Sequence, residues 1–245
     1  ADECKSLSLL PIRDDKSPRK PAEKSQAEEP GGLLFAGNFE DIYKCNLHLR
    51  TASRVSVRLG EFYAAAFSEL RKKASRLDWQ HYLTPGQPVN ISVTCHKSKL
   101  YHSDAVAERV LGAINDNFPQ SKKPIVSEKD GQLILVRLVN DLCTISIDSS
   151  GTLLHKRGYR QEIAKAPIRE TLAAAMLLIS GWNASVPLID PFCGSGTIPI
   201  EAALLASHIP PGIARKFTFT RWPVFDKAIW QEILQTARNG INKEN

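Results

Sequence analysis

From Gly31 onward the chain switches between two hydrophobic periods, and each switch marks a predicted element. Gly32-Leu33-Leu34-Phe35 reads as a short strand, and residues 39–49 form a helix with Ile42, Cys45 and Leu49 on one side. Val55-Ser56-Val57-Arg58-Leu59 alternates apolar and polar side chains, as a half-buried strand does. Residues 62–77 are predicted helical, with Ala66, Leu70 and Leu77 inward and Lys72, Lys73 and Arg76 outward. Trp79, Tyr82 and Leu83 then precede a turn at Pro85-Gly86, and 89–95 is a clean alternating strand. A helix over 104–118 carries Val106, Val110, Leu111 and Ile114 as its buried stripe, with Ser103 as candidate cap. Residues 133–138 and 142–148 are strands joined through Asn140-Asp141, side chains suited to a tight hairpin.

After this mixed pattern, Ala166-Pro167 opens a helix that Gly181 closes, with Leu172, Met176 and Ile179 expected to pack on a sheet. Then comes Leu188-Ile189-Asp190-Pro191-Phe192-Cys193-Gly194-Ser195-Gly196-Thr197-Ile198-Pro199-Ile200-Glu201-Ala202-Ala203. A short apolar strand ends at an acid, two glycines follow, and an Ala/Leu/Ile-rich helix opens behind them. Glycine lets the backbone approach a ligand, and a helix N-terminus favours an anionic group. Asp190 stands at a strand's carboxyl end, where open α/β sheets bind ligands. A bare Gly-x-Gly fits an ordinary tight turn equally well.

Composition narrows the function class. A hydrophobic content of 42% suits a globular protein, and the longest near-apolar run, 172–179, is too short to span a bilayer. A net charge of +6 fits a partner bearing phosphates, although it also fits simple solubility. Five widely spaced cysteines with no Cys-x-x-Cys pair predict neither a disulfide framework nor a zinc site, and they suit a reducing cytoplasm. The histidines lack ligand spacing, so no metal is assigned. Residues 13–30, rich in mixed charge and proline, are expected to be flexible within a 1–30 leader.

The glycine string resembles the S-adenosylmethionine loop of class I methyltransferases. Its Pro-Phe-Cys and Ile-Glu-Ala-Ala wording is similar to the branch that methylates RNA behind a THUMP domain, in particular the bacterial large-subunit ribosomal RNA guanine-N2 type. The likeness continues through His155-Lys156-Arg157-Gly158-Tyr159-Arg160, through 166–175, and through Arg221-Trp222-Pro223 and Ala228-Ile229-Trp230-Gln231. It implies a mixed α/β chain. A flexible segment (1–30) and a partial ferredoxin-like region (31–60) lead into a THUMP RNA-binding domain (61–152). A linker and helix over the cofactor pocket (153–187) and the start of a Rossmann-like methyltransferase domain (188–245) complete it.

The resemblance also implies S-adenosylmethionine as cofactor, held by Asp190, Pro191, Phe192, Gly194, Ser195, Gly196 and Thr197, with Thr171 near its methionine end. Asp190 would accept from the cofactor ammonium. Lys97, Lys99, His102 and Arg109 would face RNA phosphates, with Arg50, Arg54, Lys72 and Lys73 as neighbours. The substrate implied is ribosomal RNA, and no membrane is involved. The sequence departs from the family in lacking the Asn-Pro-Pro-aromatic loop that accepts the guanine amine. Only 55 residues follow Asp190, too few for the remaining parallel strands. The expectation is therefore a fragment of a methyltransferase, inactive alone. The alternatives are an RNA-binding module without catalysis and a transfer-RNA guanine methyltransferase. A nucleotide-phosphate cradle is the weakest reading, because no P-loop lysine or third glycine is present.

Overall fold

A computed structural model of the chain describes residues 2–9, 31–160 and 167–242. The flexible segment expected over 13–30 lies outside the described residues. The chain divides into two compact units, one made of 1–53, 154–215 and 227–245, the other of 54–153 and 216–226.

The second unit is built on a four-stranded sheet. Its strands are β1 (Ser56–Tyr63), β2 (Val89–His96), β3 (Gln132–Val139) and β4 (Leu142–Asp148), in the order β1-β4-β3-β2. The β1–β4 and β4–β3 pairs are antiparallel and β2–β3 is parallel. A parallel pair needs a crossover, which the helix α4 (Ser103–Asn115) supplies, with α3 (Phe67–Ala74) packed beside it. Alternation along β3 buries Gln132, Ile134, Val136 and Leu138, as period-two patterning requires. In β4 the run Cys143-Thr144-Ile145 is buried throughout, so this strand is covered on both faces. One cover is the segment 216–226: Thr218 donates to the Asp148 carbonyl, and the Trp222 indole donates to Gln132 Oε1 at 3.0 Å.

The β3–β4 hairpin turns through Asn140 and Asp141, both left-handed (φ 51° and 64°), as a two-residue connection with the right twist demands. The expected helix over 62–77 starts later. Phe62 and Tyr63 extend β1, pairing with Cys143 and Leu142 after a register shift between Arg58 and Gly60. Ser103 is the first residue of α4 rather than its cap; His102 takes the cap position and makes no side-chain capping bond.

The first unit is helical: α1 (Asp2–Ser6), α2 (Phe39–His48), α5 (Glu170–Ile179), α6 (Thr197–Ala206) and α7 (Lys227–Asn239). The expectation of a flexible 1–30 segment is corrected at residues 2–9, where a short helix forms over Asp2–Ser6 and Cys4 and Leu9 are buried. A reciprocal capping box between Asn38 and Asp41 starts α2, which meets α7 with Tyr43 edge-on to Trp230 at 5.9 Å. The short strand expected at 32–35 contributes only an isolated bridge at Phe35.

Two further expectations are overturned here. Val186–Ile189 forms no strand; it runs as irregular chain with Val186 and Ile189 exposed, because among the described residues no strand pairs with it. In α5 the predicted inward residues face out: Leu172, Met176 and Ile179 are 54%, 48% and 86% exposed, while Thr171, Ala173, Ala174 and Leu177 are buried. The small side chains let α5 pack closely on α6.

Candidate functional site

The glycine loop sits directly before α6. Gly194 (φ 55°) and Gly196 (φ 72°) both take left-handed backbone, which costs other L-residues about 1–2 kcal/mol each. Gly196 donates its amide to the Cys193 carbonyl at 2.8 Å, closing a turn, and caps α6 without a side-chain partner for its first amides. A Cβ built at Gly194 would meet no atom within 4 Å, so the loop presents open backbone on that side. The result is an uncapped helix N-terminus with exposed glycine backbone beside it, a surface suited to a carboxylate or phosphate.

Asp190 lies four residues before Gly194, half-buried. One of its carboxylate oxygens accepts from the Phe192 amide at 3.1 Å, which makes it a turn aspartate as the chain stands. Pro191, Phe192 and Cys193 are exposed, Phe192 by 93%. Ser195 Oγ and Thr197 Oγ1 share a hydrogen bond at 3.2 Å, and Thr197 is buried at the first position of α6.

Behind the loop lies a polar cluster that sequence reasoning did not assign. The Arg160 guanidinium donates through Nη2 to Thr197 Oγ1 (3.2 Å) and to the Ile168 carbonyl (3.1 Å), and it pairs with Glu170 at 3.3 Å. It therefore ties the first turn of α5 to the first turn of α6. One turn deeper, Arg157 Nε stands 2.9 Å from Glu201 Oε1, with both side chains at or below 1% exposure, at an angle too bent for a hydrogen bond. Tyr159 donates to the same oxygen at 3.0 Å. Arg157 Nη2 donates to the Arg50 carbonyl at 2.6 Å, and the Arg50 guanidinium reaches the Leu204 and Ile209 carbonyls at the end of α6. Burial pushes the Glu201 carboxyl up against the opposing attraction of Arg157, and burial, reinforced by Glu201, pushes the Tyr159 phenol up. The segment 157–160 thus grips α6 at Thr197 and Glu201. The signal in the sequence was the Arg-Gly-Tyr-Arg string itself, but its partners lie about 40 positions away.

Thr171 is buried next to Glu170 at the start of α5, on the helix that Arg160 holds against α6. Pro167 does not open that helix; Arg169 is its cap residue.

The expected RNA-facing cations divide into two groups. Lys97, Lys99 and His102 are exposed on the loop between β2 and α4. Arg109 lies on α4 with its guanidinium over the Phe67 ring at 5.9 Å and beside Glu108 at 3.4 Å. Lys72 is exposed on α3, and Lys73 pairs with Glu69 at 2.5 Å. Arg50 and Arg54 leave the expected surface. Arg50 is committed to the end of α6, and Arg54 pairs with buried Asp148 at 2.7 Å and donates to the Gly151 carbonyl. Both residues are only half-exposed and their guanidinium groups are already bonded, which leaves them less available to a phosphate than the exposed lysines.

Among the described residues, no cluster of three or more His, Cys, Asp or Glu could hold a metal ion, and no helix is long and apolar enough to cross a membrane.

Comparison with known proteins places families along the chain. Residues 157–245 match the RMKL-like methyltransferase domain, 64–148 the THUMP domain and 22–56 the RlmL ferredoxin-like domain. The Synechocystis protein named "Putative RNA methyltransferase slr0064" is 36% identical over 216 residues, covering 86% of this chain and 56% of its own length. The Aliivibrio salmonicida ribosomal RNA large subunit methyltransferase K/L is 37% identical over 211 residues, 84% of this chain and 30% of that protein. Among solved structures, SMU.472, described as "a putative methyltransferase complexed with SAH", superposes with a TM-score of 0.81 at 34% identity, over 99% of this chain and 61% of that one. The chain thus spans between about a third and somewhat over half of the length of these relatives.

Proposed function

We infer that this chain, which carries a THUMP domain and an RMKL-like methyltransferase domain, supplies RNA recognition and the cofactor loop to an S-adenosylmethionine-dependent RNA methyltransferase. The single observation that carries this reading is the loop 190–197: an acid, two left-handed glycines and an uncapped helix start in one continuous turn. These residues fit the amino-acid end of the cofactor. The open backbone at Gly194 and the uncapped start of α6 suit its carboxylate, and the second oxygen of Asp190 suits its ammonium. Phe192 supplies an exposed ring for the adenine or thioether portion, Pro191 and Ser195 shape the loop, and Thr171 borders the methionine end.

When bound, the cofactor supplies an electrophilic methyl group on a sulfonium. The chain's own contribution is then to hold and orient. Arg160 ties the start of α5 to the start of α6, which the loop directly precedes, and the Arg157–Glu201 pair keeps α6 in register behind it. Positioning of this kind makes up most of what a transfer needing no covalent enzyme intermediate requires. No catalytic residue is assigned, because no Asn-Pro-Pro tripeptide occurs in the 245 residues. The chain alone is expected to bind cofactor and RNA without transferring the methyl group.

The substrate we favour is the exocyclic amine of a guanine in large-subunit ribosomal RNA, supported by the K/L relatives; a transfer RNA is the second choice. RNA approaches through Lys97, Lys99 and His102, with Arg109 and Lys72 at the margins. We keep the partition into a leader, a ferredoxin-like stretch, a THUMP domain to 152, a linker to 187 and the methyltransferase start. The enzyme's place is the cytoplasm, in keeping with five free cysteines.

Calorimetric titration with S-adenosylmethionine tests the cofactor half of this reading. Binding in roughly the micromolar to millimolar range, corresponding to about 4–8 kcal/mol, is expected, with Asp190→Ala weakening it at least about tenfold. A chain that gives no heat with the cofactor at millimolar concentration sinks it.

A further inference from the structure

The loop between β2 and α4 carries more than charge. Leu100 is 4% exposed and anchors the loop in the core, while the next residue, Tyr101, is 68% exposed. The Tyr101 ring lies against the His102 imidazole, centroids 4.1 Å apart and planes tilted by 41°. Lys97 and Lys99 are exposed on the same loop, and neither ammonium pairs with an acid among the described residues.

The backbone that presents these side chains is braced at some cost. Lys97 takes a left-handed conformation (φ 47°), rare for a side chain of its length, and faces a turn whose Asn140 and Asp141 are left-handed too. Three bonds join this loop to the turn, and a fourth braces the loop from within. The Asp141 carboxylate accepts from the Lys99 amide at 2.7 Å, and Ser98 Oγ accepts from the Asp141 amide at 3.0 Å. The His96 carbonyl accepts from Ser98 Oγ and from the Asn140 amide. What the bracing achieves is a fixed, exposed pair of rings on the same loop as two exposed lysines.

We propose that Tyr101 and His102 form a stacking ledge for an unpaired nucleotide of the RNA, with Lys97 and Lys99 holding its phosphates. The inference rests on the RNA reading above and deepens it. In a continuous duplex the base faces are already stacked on one another, so an aromatic ledge selects a loop, bulge or single-stranded end. Three acids lie nearby: Asp141 accepts from the Lys99 amide, Glu108 is partnered by Arg109, and Asp104 lies in the first turn of α4. The ledge is suited to base faces and phosphates.

Fluorescence anisotropy of the 245-residue chain tests this with two labelled probes, a 12-nucleotide unstructured RNA and the blunt duplex of the same sequence. The unpaired probe is expected to bind more tightly. Tyr101→Leu should lose about tenfold of that affinity, the usual worth of one stacked base, and leave duplex binding unchanged, while Tyr101→Phe restores it. Lys97→Gln should weaken both probes and lower the salt-dependence slope by about 0.7 on the single strand. Unchanged single-strand affinity in Tyr101→Leu, or equal losses on both probes, overturns the ledge while leaving the RNA reading intact. A wild-type chain that binds neither probe overturns both.

Discussion

The buried Arg157–Glu201 pair is the place where a single side chain matters most. Both groups are out of water, and Arg157 Nη1 and Glu201 Oε2 have no further hydrogen-bond partner. Removing one partner strands the other charge, which typically costs about 3–5 kcal/mol, whereas replacing both by apolar groups of similar volume is often neutral. Glu201→Ala is accordingly expected to lower stability by about that amount in urea titration followed by far-ultraviolet circular dichroism. The double variant Arg157→Met with Glu201→Leu should recover most of it. A single-variant loss under about 1 kcal/mol would mean that water reaches the pair. His48, half-buried on α2, adds a pH dependence. Burial, with Arg50 and Lys44 nearby, holds its imidazole below the ordinary 6.5. The folded chain therefore takes up the proton less readily than the unfolded chain. Stability from this group is present above pH 6.5 and is lost as pH falls through that value toward the lowered folded one. Stability measured across this range should decline less in His48→Gln than in the wild type; parallel curves would show that His48 is not the group responsible.

At the scale of elements, α5 shows what the sequence could not say. Eight of its ten residues are apolar or alanine, so no polar face tells the helix which way to turn. The choice falls to the small residues Ala173 and Ala174, which allow close contact with α6 and leave Leu172, Met176 and Ile179 outside. Leu177→Ala is expected to cost about 2–5 kcal/mol and Met176→Ala less than about 1 kcal/mol, since only the first opens a cavity; the reverse order in denaturant titration would restore the sheet-facing orientation. Elements with sharp local signals were legible: the periodic α2, the alternating β2, and the Asn140-Asp141 hairpin whose left-handed pair is written in the side chains. The helix boundary at 62–66 was not: Phe62 and Tyr63, strand-favouring residues, pair with β4, but they run straight into an alanine stretch that reads as helix. The same contrast holds at the site. The glycine loop is a contiguous string and could be read directly. The grip of Arg157 and Arg160 on α6 joins residues about 40 apart, and no spacing rule reports that.

Across the whole molecule, order along the chain and membership of a compact unit do not coincide. The stretch 216–226 falls within the 157–245 match to the methyltransferase domain, yet it packs with the four-stranded sheet. Its anchor is Trp222, 3% exposed, which meets Tyr82 edge-on at 4.9 Å and donates its indole N–H to Gln132 Oε1. Gln132, 2% exposed, uses its amide nitrogen on the Asp148 carbonyl at 2.7 Å, so Trp222, Gln132 and Asp148 form a chain of bonds across β3 and β4. Deleting the indole leaves both a cavity and an orphaned buried acceptor, and the two penalties differ in kind. Trp222→Ala should therefore destabilise the sheet unit by about 3–5 kcal/mol. Trp222→Phe, which keeps most of the volume and loses only the donor, should cost about 1–3 kcal/mol. Hydrogen exchange resolved by segment separates this from a general weakening. Protection should fall in β3 and β4 and stay unchanged in α5 and α6, because stability in a chain of two units is lost unit by unit. Loss of protection in α6 with an intact sheet would assign Trp222 to the helical unit instead, along with the methyltransferase sequence that surrounds it.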